Sequence, residues 1–522
     1  MSEKTLTLEQ IQHFEGKYPK QIWYMCLVEM WERFCFYGMR GVLTIFMADK
    51  LTGGLGLSEK AANLQYGTIQ AFVYAFTFLG GMFADKILGF KRSLVFGALV
   101  MIAGNFIIAA NPHDFFYLGI TCSVIGTGFF KPNITSMVGF LYKDGDPRRD
   151  AGFSLFYSGI NLGALAGGAV CVWLGTSENY GWRYAFIASG TVMVVGLVTF
   201  LLTKKYISPI GNKPVPDSRL AITDIENNNR IERAEVAVKN NTGAWKEYVV
   251  YAIGILAIPV ILKLIKNANF TSYFMGGLVV IVILYFIIEL IRQKGEGVRS
   301  KLVAAFIFCF FYFVFETFFE QAGGSLAIFA KNNLSHSLLH IFSINPNIVN
   351  NSANSFFVII LGLVAGLVWL WLSKRKAEPN TIIKFGISFI FMALSYYCFF
   401  AIRHTANADG TQASLGLFTF AYLLISISEI CLSPIGMSVV TKLSPKKMQG
   451  VMIGMWFLAS AYGQYGAGLL GADMSSDKQV TNMQRLLQYT AGYRQMAFIC
   501  VGAGVILIIC APLIKKLMGN VR

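Results

Sequence analysis

The sequence predicts an all-α membrane protein of fourteen spans, built as two six-helix bundles with two extra helices between them. Three observations predict it. Hydrophobic residues make up 55% of the 522 and charged ones only 14%, whereas soluble domains carry about 25% charged residues. Fourteen apolar runs approach or exceed the roughly 20 residues that cross a bilayer. One long hydrophilic stretch, roughly 204–246, separates the first six runs from the rest.

The runs fall near 21–48, 64–84, 92–111, 115–140, 152–175 and 182–203, then 247–265 and 272–291. A last group follows near 301–329, 352–373, 381–402, 414–441, 449–472 and 488–514. Three segments result: 1–203 as the first bundle, 204–300 as linker and extra pair, and 301–522 as the second bundle. The linker carries Pro, Asn and many charges and reads as partly helical after Asp224.

Cytoplasmic loops hold the excess of Lys and Arg. With both termini inside, 31 of the 44 basic residues lie on the cytoplasmic side and 10 on the other, with Arg33, Arg40 and Lys131 inside spans. Both termini are therefore expected in the cytoplasm. The first twenty residues lack the apolar core of a cleavable signal, so the first span is expected to direct insertion. The net charge of +16 is spread over short loops, which argues against a nucleic-acid surface. The nine cysteines show no CxxC pair or metal-ligand spacing and read as small buried hydrophobes.

An ionisable group at span depth costs about 3 kcal/mol, so each one needs a partner, a water-filled cavity or a function. In VEMWERFCFYGMR, Glu29, Glu32, Arg33, Phe36, Tyr37 and Arg40 share one helical face. Two carboxylates beside a guanidinium form a coupled site in which protonation changes the partner that Arg33 holds. The alternative is a static ion-pair cluster that locks the first span to its neighbours. Lys131 lies in GTGFFKPNI, where Pro132 is expected to break the fourth helix and aim the ammonium at a cavity; snorkelling to an interface is the other reading. Asn161 sits among small residues in LFYSGINLGALAGG, placed either for a solute or for an interhelical hydrogen bond.

The second half supplies acids. Glu316 and Glu320 are one turn apart, and Glu429 precedes Pro434, which is expected to loosen its helix. Cations in one half and Glu429 in the other suit a zwitterion lying between them. At the inner end of the second span, GGMFADKILGFKR brings Asp85 beside Lys91 and Arg92, a candidate charge relay at an inner gate, or simply a positive loop with an acidic neighbour.

Together these residues resemble the proton-coupled oligopeptide transporters of the major facilitator superfamily. The likeness covers nearly the whole chain. It includes ExxER (Glu29, Glu32, Arg33), YGMR (Tyr37 to Arg40), FFKPN (Phe129 to Asn133), FYSGINLG (Phe156 to Gly163), EQAG (Glu320 to Gly323), ExxxSPxG (Glu429 to Gly436) and MWFLASAYG (Met455 to Gly463). The two runs near 247–291 are similar to the extra helix pair of bacterial members.

The resemblance implies a bacterial inner-membrane symporter that imports di- and tripeptides with protons by alternating access. No cofactor is implied beyond the coupling proton, and a single chain is expected to suffice. The peptide carboxylate would lie near Arg33, Arg40 and Lys131, and its amino group near Glu429, Asn161 and Asn354. Tyr37, Tyr74, Ser433 and Trp456 would line the path. Glu29, Glu32 and Glu320 would couple the proton. Departures from the family pattern are Phe36 for a frequent tyrosine, Glu316 for tryptophan, Ser355 for proline and Gln464 for asparagine; Glu316 and Glu320 are thereby placed to share a proton.

Another small solute, an anion or an amino-acid conjugate, is the alternative cargo, but an anion has no amine to be held and leaves Glu429 unused. An enzyme would need a nucleophile and base, and the five histidines map to the terminus and outer loops. His336 and His340 have helical spacing without a third metal ligand.

Overall fold

The computed structural model describes residues 7–143, 146–212, 244–293, 297–339, 341–445, 448–478 and 480–520. The helix expected after Asp224, and His340, lie outside these.

All fourteen expected runs coincide with long helices. They are α1 (Lys20–Ala48), α2 (Glu59–Phe83), α3 (Phe90–Ala110), α4 (Pro112–Gly139), α5 (Arg148–Thr176), α6 (Trp182–Ile207), α7 (Ala244–Lys266), α8 (Ala268–Arg292), α9 (Val298–Phe319), α10 (Pro346–Lys374), α11 (Thr381–Ala401), α12 (Leu415–Leu443), α13 (Gln449–Asp473) and α14 (Asn482–Met518). Eleven candidate spans are long and apolar enough to cross a membrane among the described residues. The first, fourth and thirteenth helices are absent from that set. In α1 the cause is plain: Glu29, Glu32 and Arg33 interrupt the apolar run, and all three are buried inside the protein.

Polar caps explain where the helices start. Ser58 Oγ accepts from the Ala61 amide, Asn111 Oδ1 from Asp114, Asn380 Oδ1 from Ile383, Ser414 Oγ from Leu417, and Thr481 forms a capping box with Gln484. Each satisfies an amide that the first helical turn leaves open. Beyond α9 the chain makes a short turn, Glu320–Gly323, a helix Ser325–Asn333 and a two-residue hairpin, Ser337–Leu338 with Phe342–Ser343.

One expectation about proline is corrected: helix α4 runs unbroken through Pro132. Helix α12 spans Leu415–Leu443 and includes Pro434. Close packing in a helical array sustains a helix despite a missing amide: the Gly128 carbonyl, to which Pro132 cannot donate, lies tight against α2, where a Cβ on Gly80 would come 2.2 Å from it.

Buried apolar residues separate along the chain. Two cores draw on Ile11 through Ile265, joined by Ala327, and a third on Phe286 through Met518. The early and late helices meet mainly through α2 on α13 and α5 on α10. At the first contact the backbones touch: a Cβ on Gly67 would lie 2.6 Å from the Gly468 Cα, so only glycine permits this crossing.

On the side opposite the chain termini, polar bridges tie early helices to late ones. Arg485 Nε lies 2.6 Å from Glu59 Oε1, and the Tyr489 hydroxyl donates to Glu59 Oε2 at 3.1 Å. Asp477 receives Lys60 at 3.4 Å and Ser58 Oγ at 3.0 Å. Asp49, directly after α1, accepts from the Thr52 amide and hydroxyl, the Trp182 indole at 3.0 Å and Lys331 Nζ at 3.4 Å. Burial pushes the Asp49 carboxyl up, but the hydrogen bonds from Thr52 and Trp182 and the charge of Lys331 outweigh it and hold it down to about 2.

Candidate functional site

Between the early and late helices lies a cavity of about 220 Å³. Its wall takes Glu29, Arg33, Tyr37 and Arg40 from α1, Lys131 and Thr135 from α4, and Tyr157 and Asn161 from α5. From the other side come Asn350, Asn351, Asn354 and Ser355 of α10 and Tyr422, Ile425 and Glu429 of α12. Eight residues expected at the site from sequence therefore converge: Glu29, Arg33, Tyr37, Arg40, Lys131, Asn161, Asn354 and Glu429.

The α1 face is dense with charge. Arg33 Nε sits 3.1 Å from Glu29 Oε1 and also contacts Glu32. Burial of all three is nearly complete, with Glu32 at 0% exposure. Among the described residues, Glu29 Oε2 and Glu32 Oε1 have no hydrogen-bond partner. Each of these oxygens is therefore an unsatisfied acceptor among the described residues. The Arg33 guanidinium also lies 5.0 Å from the Phe36 ring centroid, a contact that does not require the missing hydroxyl.

One full helical repeat away, Arg40 reaches across to the late helices. It pairs with Glu320, and Tyr66 completes a triangle, accepting from Arg40 Nε at 3.0 Å and donating to Glu320 Oε2 at 3.3 Å. Lys131 forms no ion pair among the described residues; its ammonium stands 4.4 Å from the Tyr74 ring centroid. An ammonium that lines a cavity without a direct ion-pair partner is open to an anionic ligand group.

The opposite pole is Glu429. Its Oε1 accepts from the Tyr157 hydroxyl at 2.8 Å and its Oε2 from Asn354 Nδ2 at 2.9 Å. Both donors are neutral, so the charge of this carboxylate is solvated without being cancelled. Asn354 is steadied by Ser426, whose hydroxyl lies 3.3 Å from its Oδ1. Asn161 Nδ2 is turned back to the Tyr157 carbonyl at 3.0 Å.

The remaining expected residues lie outside the wall. Trp456 is 3% exposed and stacks on Tyr312 with centroids 3.7 Å apart. Tyr74 stands behind Lys131, and Ser433 is half-buried on α12 one turn beyond Glu429. Glu316 is buried on α9, its Cβ pressed towards Gly463. The relay expected around Asp85 is not assembled. Arg92 pairs instead with Glu247 of α7, Lys91 Nζ meets Asn212 Oδ1 at 3.0 Å, and Asp85 is exposed on the wide π-helical turn Ala84–Leu88. The expectation failed because Asn212 and the start of α7 meet this end of α3, contacts at long sequence separation.

Sequence reasoning missed Tyr157, Asn350, Asn351 and Tyr422. Each was within reach of helical periodicity. Tyr157 precedes Asn161 by four residues, Asn350 precedes Asn354 by four, and Tyr422 precedes Glu429 by seven.

A charged, asymmetric cavity inside an array of membrane-length helices defines a multi-pass membrane carrier. The chain belongs to the POT family: it matches the family described as "PTR2: POT family" over residues 91–486. It is 33% identical to "Peptide transporter YePEPT" of Yersinia enterocolitica subsp. palearctica, over 95% of this chain and 94% of that one. It is 26% identical to "Dipeptide and tripeptide permease A" of Escherichia coli K12, over 96% and 94%. Among solved structures, the peptide transporter POT in complex with sulfate superposes with a TM-score of 0.80 at 28% identity, covering 98% of this chain and 99% of that one. A POT family transporter in complex with 5-aminolevulinic acid does so with 0.80 at 26%, covering 98% and 100%.

Proposed function

We propose that this protein imports di- and tripeptides together with protons, by alternating access between two six-helix halves, 1–203 and 301–522, with α7 and α8 as the extra pair within 204–300. The observation that carries the reading is the cavity's polarity: Arg33, Arg40 and Lys131 on one side and Glu429 on the other. A peptide zwitterion puts a carboxylate at the first pole and an ammonium at the second. An anion alone would leave Glu429 unmatched. The relatives named for peptides support the same cargo, and the one holding 5-aminolevulinic acid carries a ligand with both amino and acid groups.

Protons enter through acids that share cations. Glu29 and Glu32 compete for Arg33, and Glu320 holds Arg40. Protonating Glu320 would release Arg40 from the late helices and free it for the peptide carboxylate, so that cargo and proton load together. Glu316, one turn from Glu320, is a second reservoir. Tyr37, Tyr74, Asn161, Asn354, Ser433 and Trp456 complete the substrate path as the halves move, and Arg92, paired with Glu247, contributes at the inner gate. The chain sits in a bacterial inner membrane with both termini cytoplasmic, which makes the bridges of Asp49, Glu59 and Asp477 the closed outer gate. One chain supplies the whole cavity wall, so a monomer is sufficient.

Equilibrium binding to the purified protein tests the cargo. Dialanine is expected to bind, while N-acetylated dialanine, dialanine amide and nitrate each bind at least tenfold more weakly. Equal binding of dialanine and nitrate would overturn the peptide assignment.

A further inference from the structure

Helices α7 and α8 are joined at Asn267 by a turn in which the Thr271 hydroxyl bonds to the Leu264 carbonyl at 2.6 Å. Yet their apolar residues enter different cores. Val250, Ile261, Leu264 and Ile265 of α7 belong to an early core, whereas Phe286 of α8 belongs to the late one.

The attachments away from the turn follow the same division. At its inner end α7 is fixed to α3: Glu247 pairs with Arg92, and Tyr251 packs on Phe96 with centroids 4.9 Å apart. The inner end of α8 is fixed to α9. Phe286 stacks on Phe306 at 4.7 Å, and Arg299 donates from Nε to the Gln293 carbonyl at 2.7 Å and from Nη2 to the Ile291 carbonyl at 3.1 Å. Near the turn, α8 lies across the seam itself: Phe274 meets Phe72 of α2, and the Tyr462 hydroxyl of α13 donates to the Met275 carbonyl at 2.6 Å.

We propose that α7 and α8 form a strap across the two halves, with its apex over the α2–α13 seam and one leg anchored to each half on the inner side. Opening the inner side must splay the legs, so the strap limits how far the halves separate there and sets the balance between the carrier's two access states. The inference rests on the two-half reading above but not on the nature of the cargo.

A strap works in series, so releasing either end should have the same effect as releasing both. Nitroxide labels on Lys204→Cys and Lys374→Cys report the inner separation by pulsed electron resonance, with the parent chain as the control for labelling of its own cysteines. One variant, Glu247→Gln with Tyr251→Ala, frees the α7 leg; another, Phe286→Ala with Arg299→Ala, frees the α8 leg. Each is expected to broaden the inner distance distribution and shift the state populations at least threefold, and the combined variant to do no more than either alone. Unchanged distributions in folded, monodisperse variants would overturn the strap. Effects that sum would also overturn it, because they would mark two independent local contacts. No peptide is present, so failure here is distinguishable from failure of the peptide assignment.

Discussion

The Tyr157 hydroxyl donates a 2.8 Å hydrogen bond to Glu429 Oε1, joining an early helix to a late one directly across the cavity. An arriving ammonium would find this carboxylate already oriented by Tyr157 and Asn354 but not neutralised. Preorganisation of this kind reduces the cost of ordering a site around its ligand.

Glu429→Gln keeps the shape and removes the charge. A hydrogen bond to a charged group is worth about 1.5–3 kcal/mol, so dialanine affinity should fall about 10- to 150-fold. N-acetylated dialanine should lose little. Competition binding measures both, and equal losses would mean that Glu429 does not hold the amine.

Glu32 touches Arg33 and is wholly buried, reachable from the cavity only through its neighbours. Glu32→Gln should abolish uphill, gradient-driven uptake while leaving peptide exchange across the membrane. Uphill transport at the parent rate would remove Glu32 from the coupling.

Glu320→Gln separates locking from loading. With Arg40 no longer held by a carboxylate, dialanine should still bind, but an inward proton gradient should no longer drive its uptake. Gradient-driven uptake at the parent rate would show that the Arg40–Glu320 pair is not the element that the proton releases.

The outer bridges should behave as a lock and not as a sensor. The Asp49 carboxyl is lowered to about 2, below its ordinary value, so its contribution is fully present above about pH 4 and is lost as the pH falls through 2. Labels at Lys50→Cys and Lys478→Cys should therefore report an unchanged outer separation from pH 7 to 4. Asp49→Asn should widen it throughout that range.

Gly67→Val tests the crossing of α2 and α13. Overpacking costs about 1–3 kcal/mol, which would act against the outer-closed arrangement, so the same label pair should shift towards longer distances.

Much of this architecture was legible in the sequence because lipid demands long apolar runs and makes every buried charge conspicuous. All fourteen runs became helices, and Glu29, Arg33, Arg40, Lys131, Asn354 and Glu429 do meet at one cavity. Neutral residues were harder to place. Tyr157 and Tyr422 are as compatible with core packing as with a cavity wall, and only the neighbouring helix decides between them. Long-range pairs such as Arg92–Glu247 and Glu59–Arg485 were also hidden, since nothing local in a charged helix end names its partner. Pro132 misled because packing in a helical array sustains a helix that proline would end in water.

Uptake of labelled dialanine into liposomes containing the purified protein tests the central claim most directly. Accumulation above the external concentration is expected only with an inward proton gradient, and should collapse when the gradient is dissipated. Equal accumulation with and without the gradient, or none in either case by folded protein, would contradict proton-coupled peptide import.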